Sequence, residues 1–253
     1  MYTIIYFSPT GNTKHLAVKL SELLETENVF QLDKTDYDKI GESEHLVLMY
    51  PIHGFNPPRT VKRFIKYLPE GLFQKVSLLA IGCNELWLND AVSLKLRKYF
   101  KKIGTEIVVD EILAMPLTFV MKFPEDVKKK TIEEANNKIV ELSKRIKDNN
   151  ASTRKIKLKS KVINFIGKAE SPAARLFGLE LHARKTCTSC GTCWNNCPEL
   201  NIKPNKKNKP KFGFSCSMCM RCIYDCPEGS ITPYISKFLT IKGGYHLEDE
   251  EGT

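Results

Sequence analysis

Long apolar runs are missing from this 253-residue sequence. None reaches the ~18 residues that a membrane-spanning helix requires, so no helical span is expected. The N-terminus lacks the basic segment of a secretory signal, and Thr3-Ile4-Ile5-Tyr6-Phe7 reads as a strand instead. Neither G-x-x-x-x-G-K-[ST] nor G-x-G-x-x-G occurs, which argues against a P-loop nucleotidase and a Rossmann dinucleotide site. No general acid–base constellation stands out. Basic residues are not interleaved with aromatics in the manner of a nucleic-acid-binding module, so no nucleic-acid partner is expected. A reducing cytoplasm is the expected setting.

Cysteine, by contrast, is concentrated. Eight of the nine form two runs of the same pattern, C-x2-C-x2-C-x3-C-P. The first is Cys187, Cys190, Cys193 and Cys197 before Pro198; the second is Cys216, Cys219, Cys222 and Cys226 before Pro227. This pattern resembles the bacterial ferredoxin ligand run, in which the fourth cysteine serves the other cluster. A cubane needs one thiolate per iron, and three close cysteines reach three corners. A proline after the fourth cysteine stops local helix and sets an extended path toward the other centre. Cys187, Cys190, Cys193 and Cys226 are therefore expected on one [4Fe-4S] cluster, and Cys216, Cys219, Cys222 and Cys197 on the other. Zinc knuckles fit two matched quartets poorly, and disulfides need an oxidising compartment that nothing else supports.

A chain of this length is expected to hold two domains, at roughly 100–200 residues each. The expected division is residues 1–150, a basic connector over 151–179, and a ferredoxin-like part with a C-terminal extension over 180–253. The formal net charge is +10. It is concentrated between residues 121 and 175, where 15 Lys and Arg face 7 Asp and Glu. Arg154, Lys155, Lys157, Lys159 and Lys161 alternate with apolar residues there. Two readings stand side by side: a solvated charge run, or a docking surface for an acidic redox partner.

Strands are expected over 3–7, 29–32, 46–50, 76–81 and 107–112. Helices are expected after residue 13, where Leu16, Ala17, Leu20, Leu23 and Leu24 recur at helical spacing, and over 58–68, 90–102 and 125–148. Two short helices are expected near 161–167 and 172–177. Strands alternating with helices predict a parallel, doubly wound α/β sheet covered on both faces.

Between the first strand and the first helix lies Ser8-Pro9-Thr10-Gly11-Asn12-Thr13. Amide groups at a helix N-terminus attract phosphate, hydroxyls add donors, and Gly11 permits close backbone approach. An ordinary hydroxyl-rich helix cap is the alternative. The loop resembles the flavodoxin phosphate loop, S/T-x-T-G-N-T, at every defined position. That resemblance implies FMN, a five-stranded order 2-1-3-4-5, and a flavin at the carboxyl ends of strands one and three. It directs attention to Pro51, Ile52, His53, Gly54 and Phe55 after strand three, to Gly82, Cys83, Asn84 and Trp87 after strand four, and to Phe119 after strand five. Phe55, His53 and Trp87 suit flavin contact and ordinary packing equally. Cys83, the one cysteine outside the quartets, reads foremost as a buried, inert thiol. The usual flavodoxin stacking tyrosine is not evident.

Taken whole, the chain resembles the fused flavodoxin–ferredoxin proteins of anaerobes, on the Ser8–Thr13 loop, the 51–58 loop, both cysteine quartets and Gly244-Tyr245-His246. The resemblance implies one FMN and two [4Fe-4S] clusters in an electron carrier that serves redox partner proteins. The alternative is a flavin- and iron–sulfur-dependent oxidoreductase acting on a small molecule. Turnover with NAD(P)H and small acceptors separates the two.

Overall fold

The computed structural model describes residues 1–35, 37–83, 87–245 and 247. Its contacts divide the chain into two compact units. One comprises residues 1–8, 12–116 and 124–168; the other comprises 9–11, 117–123 and 169–253.

The first unit is a six-stranded, all-parallel sheet. Its strands are β1 (Tyr2–Tyr6), β2 (Val29–Gln31), β3 (Ser43–Pro51), β4 (Phe73–Gly82), β5 (Glu106–Ala114) and β6 (Ser152–Thr153), in the order β2-β1-β3-β4-β5-β6. The expected 2-1-3-4-5 order is present, and the short β6 extends it beside β5 in the register Val109↔Ser152 and Asp110↔Thr153. A two-residue strand carries no alternation, which is why the sequence pattern did not show it.

Helices α1 (Asn12–Leu24), α2 (Arg59–Tyr67), α3 (Leu94–Lys102), α4 (Glu125–Lys147) and α5 (Leu158–Ile166) complete this unit. The α3 helix starts at Leu94, later than the expected residue 90. Strand alternation sorts the core. Leu46, Leu48 and Tyr50 of β3 pack in one cluster with Val61 and Phe64 of α2 and Leu96 and Phe100 of α3. On α1, Leu16, Ala17 and Leu20 are fully buried, as are Ile139 and Ile146 of α4. The α1 and α4 helices pack together, and α4 also packs on β5. Nearly continuous burial along β3 and β4 is what a parallel sheet covered on both faces demands.

The second unit contains α6 (Glu170–Glu180), β7 (Leu181–Ala183), α7 (Thr192–Asn195), β8 (Ile202–Pro204), β9 (Pro210–Phe212), α8 (Arg221–Tyr224) and β10 (Ile231–Pro233). The β7 strand pairs antiparallel with β10, and β8 pairs antiparallel with β9. No helix among the described residues is long and apolar enough to cross a membrane.

β6 and α5 pack within the first unit, and residues from 169 onward within the second.

Candidate cofactor sites

Chain direction at the sheet makes the first candidate site. From β1 the chain crosses outward to β2, then returns past β1 to β3, so the carboxyl ends of β1 and β3 form a topological switch point. The exits of four strands are tied edge to edge there. Phe7 N donates to Met49 O at 3.0 Å, Ile52 N to Ile81 O at 2.8 Å, and Met115 N to Gly82 O at 2.7 Å.

The Ser8–Thr13 loop leaves β1 and enters α1. Gly11 has φ +99°, a conformation that favours glycine. Ser8 Oγ accepts from Lys14 N at 3.1 Å, satisfying one of the orphan amides at the start of α1. Asn12 Nδ2 donates to Pro116 O at 2.8 Å, linking the loop to the segment after β5. Ser8, Thr10, Asn12 and Thr13 are all buried. A helix N-terminus carrying hydroxyls and a left-handed glycine has the chemistry of a phosphate cradle.

The loop after β3 is a tight reversal. His53 and Asn56 exchange both backbone hydrogen bonds at 2.9 Å, and the two residues between them, Gly54 and Phe55, have φ of +48° and +60°. Two consecutive positive φ values are the mark of a primed two-residue turn. Phe55 holds this conformation despite its Cβ, which costs roughly 1–2 kcal/mol. Helix α5 helps to hold it. Asn164 Nδ2 donates to Phe55 O at 2.6 Å, and Asn56 Nδ2 donates to Asn164 O at 3.0 Å. A Cβ at Gly167 would lie 1.9 Å from Gly54 O, so the chain end of α5 sits directly on the turn. Neither Asn164 nor Gly167 stood out in sequence, because their partners lie more than a hundred residues away.

Pro51, Ile52, His53, Gly54 and Phe55 are half-buried. Burial, aided by the Lys62 charge, pushes the His53 imidazole down to about 4, so the ring is neutral at pH 7. After β4, Gly82 is half-buried and Cys83 is exposed. The expectation of a buried Cys83 thiol is thus corrected: the residue follows the end of β4, where the chain leaves the sheet. Trp87 is 40% exposed. Asn84 lies outside the described residues, as does His246. Phe119 is 38% exposed and belongs to the second unit, where Val120 N donates to Leu239 O at 3.0 Å and Tyr224 Oη to Thr118 O at 2.8 Å.

The connector charges divide into two kinds. Arg154 is anchored: Nη2 donates to Asp110 Oδ1 at 3.2 Å, Nε to Asp110 O at 3.2 Å, and Nη1 lies 3.7 Å from Asp90. Lys155, Lys157, Lys159 and Lys161 are exposed.

The second unit holds the cysteine quartets, and its two runs repeat one local conformation. In the first, Ser189 and Gly191 flank Cys190 with φ of +64° and +88°; in the second, Met218 and Met220 flank Cys219 with +52° and +63°. Each run then makes a one-turn helix, α7 or α8, and a further left-handed residue three places after its last cysteine, Leu200 or Gly229. Alternating left-handed residues turn successive N–H groups to one side, a concavity suited to an anion.

The thiols surround two cavities. Cys187, Cys190, Cys193 and Cys226 line one; Cys197, Cys216, Cys219 and Cys222 line the other. Four thiols around each cavity match the one thiolate per iron that a cubane needs. Backbone amides point at the sulfurs: Asn201 N to Cys197 Sγ at 3.3 Å, Met218 N to Cys216 Sγ at 3.3 Å, and Ser230 N to Cys226 Sγ at 3.2 Å. Such bonds stabilise negative charge on sulfur and tune cluster potential. Phe177 and Leu181 supply apolar walls to the second cavity, and a Cβ on Gly178 of α6 would lie 2.3 Å from Cys216 Cβ.

Burial pushes the Cys193 thiol up to about 11 and Cys219 up to about 12, and raises Cys222 well above its ordinary value. Cys190 moves down, chiefly through its hydrogen bond with the Thr192 side chain. Thiols shifted upward in this way would give up protons on taking up a metal cluster.

Residues 180–227 match the family model of the 4Fe-4S dicluster domain, a stretch that contains all eight quartet cysteines. No curated protein matches the chain. Among solved structures, a flavodoxin from the domain Archaea aligns at 14% identity over 58% of this chain and 99% of its own, with a TM-score of 0.39. General stress protein 14 from Treponema denticola, solved in complex with FMN, aligns at 13% over 56% and 97%, with a TM-score of 0.41. An NAD(P)H:quinone oxidoreductase from Methanothermobacter marburgensis aligns at 14% over 56% and 98%, with a TM-score of 0.39. The flavodoxin-like character of the first unit rests on its strand order rather than on these alignments. One chain thus joins a flavodoxin-like sheet to a 4Fe-4S domain, the parts of a redox protein.

Proposed function

We propose that this protein is an electron carrier holding one FMN and two [4Fe-4S] clusters, and that it exchanges electrons with separate redox proteins. The observation that carries the reading is the pair of cavities, each lined by four cysteines drawn from both runs. It is supported by the hydroxyl-bearing loop that follows β1 at the β1/β3 switch point.

Bound clusters supply one-electron steps and bound flavin supplies one- or two-electron steps, so the pair can join two-electron to one-electron chemistry. The chain's own residues hold and tune these groups. Cys187, Cys190, Cys193 and Cys226 would ligate one cluster, and Cys216, Cys219, Cys222 and Cys197 the other. Amides of Asn201, Met218 and Ser230 would stabilise charge on their sulfurs. Ser8, Thr10 and Thr13, with the first amides of α1, would hold the FMN phosphate. The His53–Asn56 turn would border the flavin ring with a neutral imidazole and the strained Phe55. A reducing compartment such as the cytoplasm suits eight cysteines that form no disulfide.

Anaerobic reconstitution tests the reading. The expected product contains one FMN and about eight irons per chain, on the ligand count of two cubanes. A redox titration followed by optical and EPR signals should resolve flavin and cluster transitions. Stoichiometric iron without FMN would restrict the role to the second unit. Rapid turnover of NAD(P)H with a small acceptor would replace the carrier by an oxidoreductase.

A further inference from the structure

The cation-rich part of the second unit is a groove beside one cysteine cavity. It is lined by Arg184 and Lys185 after β7, by Lys209 and Lys211 of the β8–β9 hairpin, and by Asn205 at its turn, with no carboxylate among its lining residues. From residue 200 to residue 224 the sequence carries five lysines and one arginine and no Asp or Glu.

Three observations make this more than a solvated face. First, Lys203 and Lys211 stand directly opposite each other in the β8–β9 register. Like charges in that position destabilise a strand pair, so the arrangement serves something other than the hairpin. Second, the hairpin tip is braced. Asn205 Oδ1 accepts from Lys207 N at 2.8 Å and Lys209 N at 3.1 Å, and Asn205 N donates to Lys209 O at 2.8 Å. The charges are thus presented on an ordered turn. Third, the groove adjoins the cavity of Cys187, Cys190, Cys193 and Cys226. Pro210 lines both, and Lys209 Nζ donates to Cys187 O.

We propose that this groove docks the carboxylate-bearing surface of an acidic electron-transfer protein and brings it against the Cys187–Cys226 cavity. The inference rests on the carrier reading above. The site is an open trough with exposed cations along its rim, including Arg184, Lys185 and Lys211. A small-molecule site would instead converge a few polar groups in an enclosed pocket. Spread cations complement spread carboxylates and act mainly on the association rate. Placing them on the wall of a cluster cavity orients the partner for transfer at that cavity.

The test uses reconstituted, dithionite-reduced protein freed of excess reagent, with poly-L-glutamate as the carboxylate probe and ferricyanide as the anionic oxidant. Each ferricyanide takes one electron from a reduced cluster and becomes ferrocyanide. At low ionic strength, wild type should bind poly-L-glutamate, and bound polymer should slow ferricyanide oxidation by about tenfold, an effect lost at 1 M salt, where charge screening is nearly complete. Arg184→Glu/Lys185→Glu/Lys211→Glu, three cations of the groove, should abolish polymer binding while keeping its iron. Lys155→Glu/Lys159→Glu/Lys161→Glu changes total charge equally, on α5 and the segment before it, and should behave as wild type. Equal losses in both variants would mean a bulk charge effect and overturn the proposal. So would displacement of the polymer by sub-millimolar inorganic phosphate, which marks a small-anion site. Failure of the carrier reading is read separately, as a reconstituted protein that binds the polymer but holds no iron.

Discussion

Arg154 donates from Nη2 to Oδ1 of Asp110 at 3.2 Å, across 44 residues of sequence. Asp110 is fully buried on β5, and Ser93 and Arg97 also donate to its Oδ2. The pair pins β6 to the sheet edge, because Arg154 N also donates to Asp110 O. Breaking a buried ion pair costs roughly 3–5 kcal/mol when the remaining charge is uncompensated. Arg97 still compensates Asp110, so Arg154→Ala should destabilise the first unit by about 2 kcal/mol. Urea unfolding followed by far-UV circular dichroism checks this; an unchanged midpoint would return Arg154 to the solvated charges.

Gly167→Ala should disturb the turn after β3. Its Cβ would meet Gly54 O at 1.9 Å and Asn56 Nδ2 at 3.0 Å, so α5 or the turn must shift. Overpacking of this kind costs about 1–3 kcal/mol. Faster hydrogen exchange is expected at the His53 and Asn56 amides, and exchange mass spectrometry reads it directly.

Thr10→Ala should weaken FMN binding by about tenfold or more, since a hydrogen bond to a charged group contributes roughly 1.5–3 kcal/mol. Iron content should not change. Fluorescence titration with FMN and iron analysis on the same sample check both halves; unaltered FMN affinity would remove Thr10 from the phosphate site.

Cys197→Ala should damage the centre formed with Cys216, Cys219 and Cys222, whose cavity Cys197 lines. Cys226→Ala should damage the one formed with Cys187, Cys190 and Cys193. Each variant should lose up to about half its iron, with EPR signals of different centres missing. Loss of the same signal from both variants would contradict the crossed arrangement.

His45 gives the first unit an acid-sensitive stability. It is buried on β3, bonded to Ser77 Oγ at 2.8 Å, and desolvation, then Lys75, pushes it down to about 4. The unfolded chain titrates near 6.5, so between about 4 and 6.5 the unfolded state binds the extra proton. Stability from this group is complete above that window and falls as pH drops through it, by about 3 kcal/mol in all. Urea midpoints of wild type and His45→Asn from pH 7 to 4 should therefore diverge in acid. Parallel decline would show that His45 does not titrate differently on folding.

Local features of this protein were legible without coordinates. Cysteine spacing, the proline after each fourth cysteine, the hydroxyl–glycine loop and the apolar periods of α1 and α4 act over about ten residues or fewer, within reach of backbone sterics and hydrogen bonding. The order of the first five strands followed from the flavodoxin-like loop placed after the first of them. What only tertiary structure decided depends on partners far away in the chain. Asn164 meets Phe55 across 109 residues and Arg154 meets Asp110 across 44, so residues that read as a basic connector became part of the sheet edge and the brace of a turn. Cys83 read as a small apolar core residue, but strand β4 ends just before it and leaves it exposed. Lys203 and Lys211 are eight positions apart in a polar stretch, and only the hairpin register sets their charges face to face.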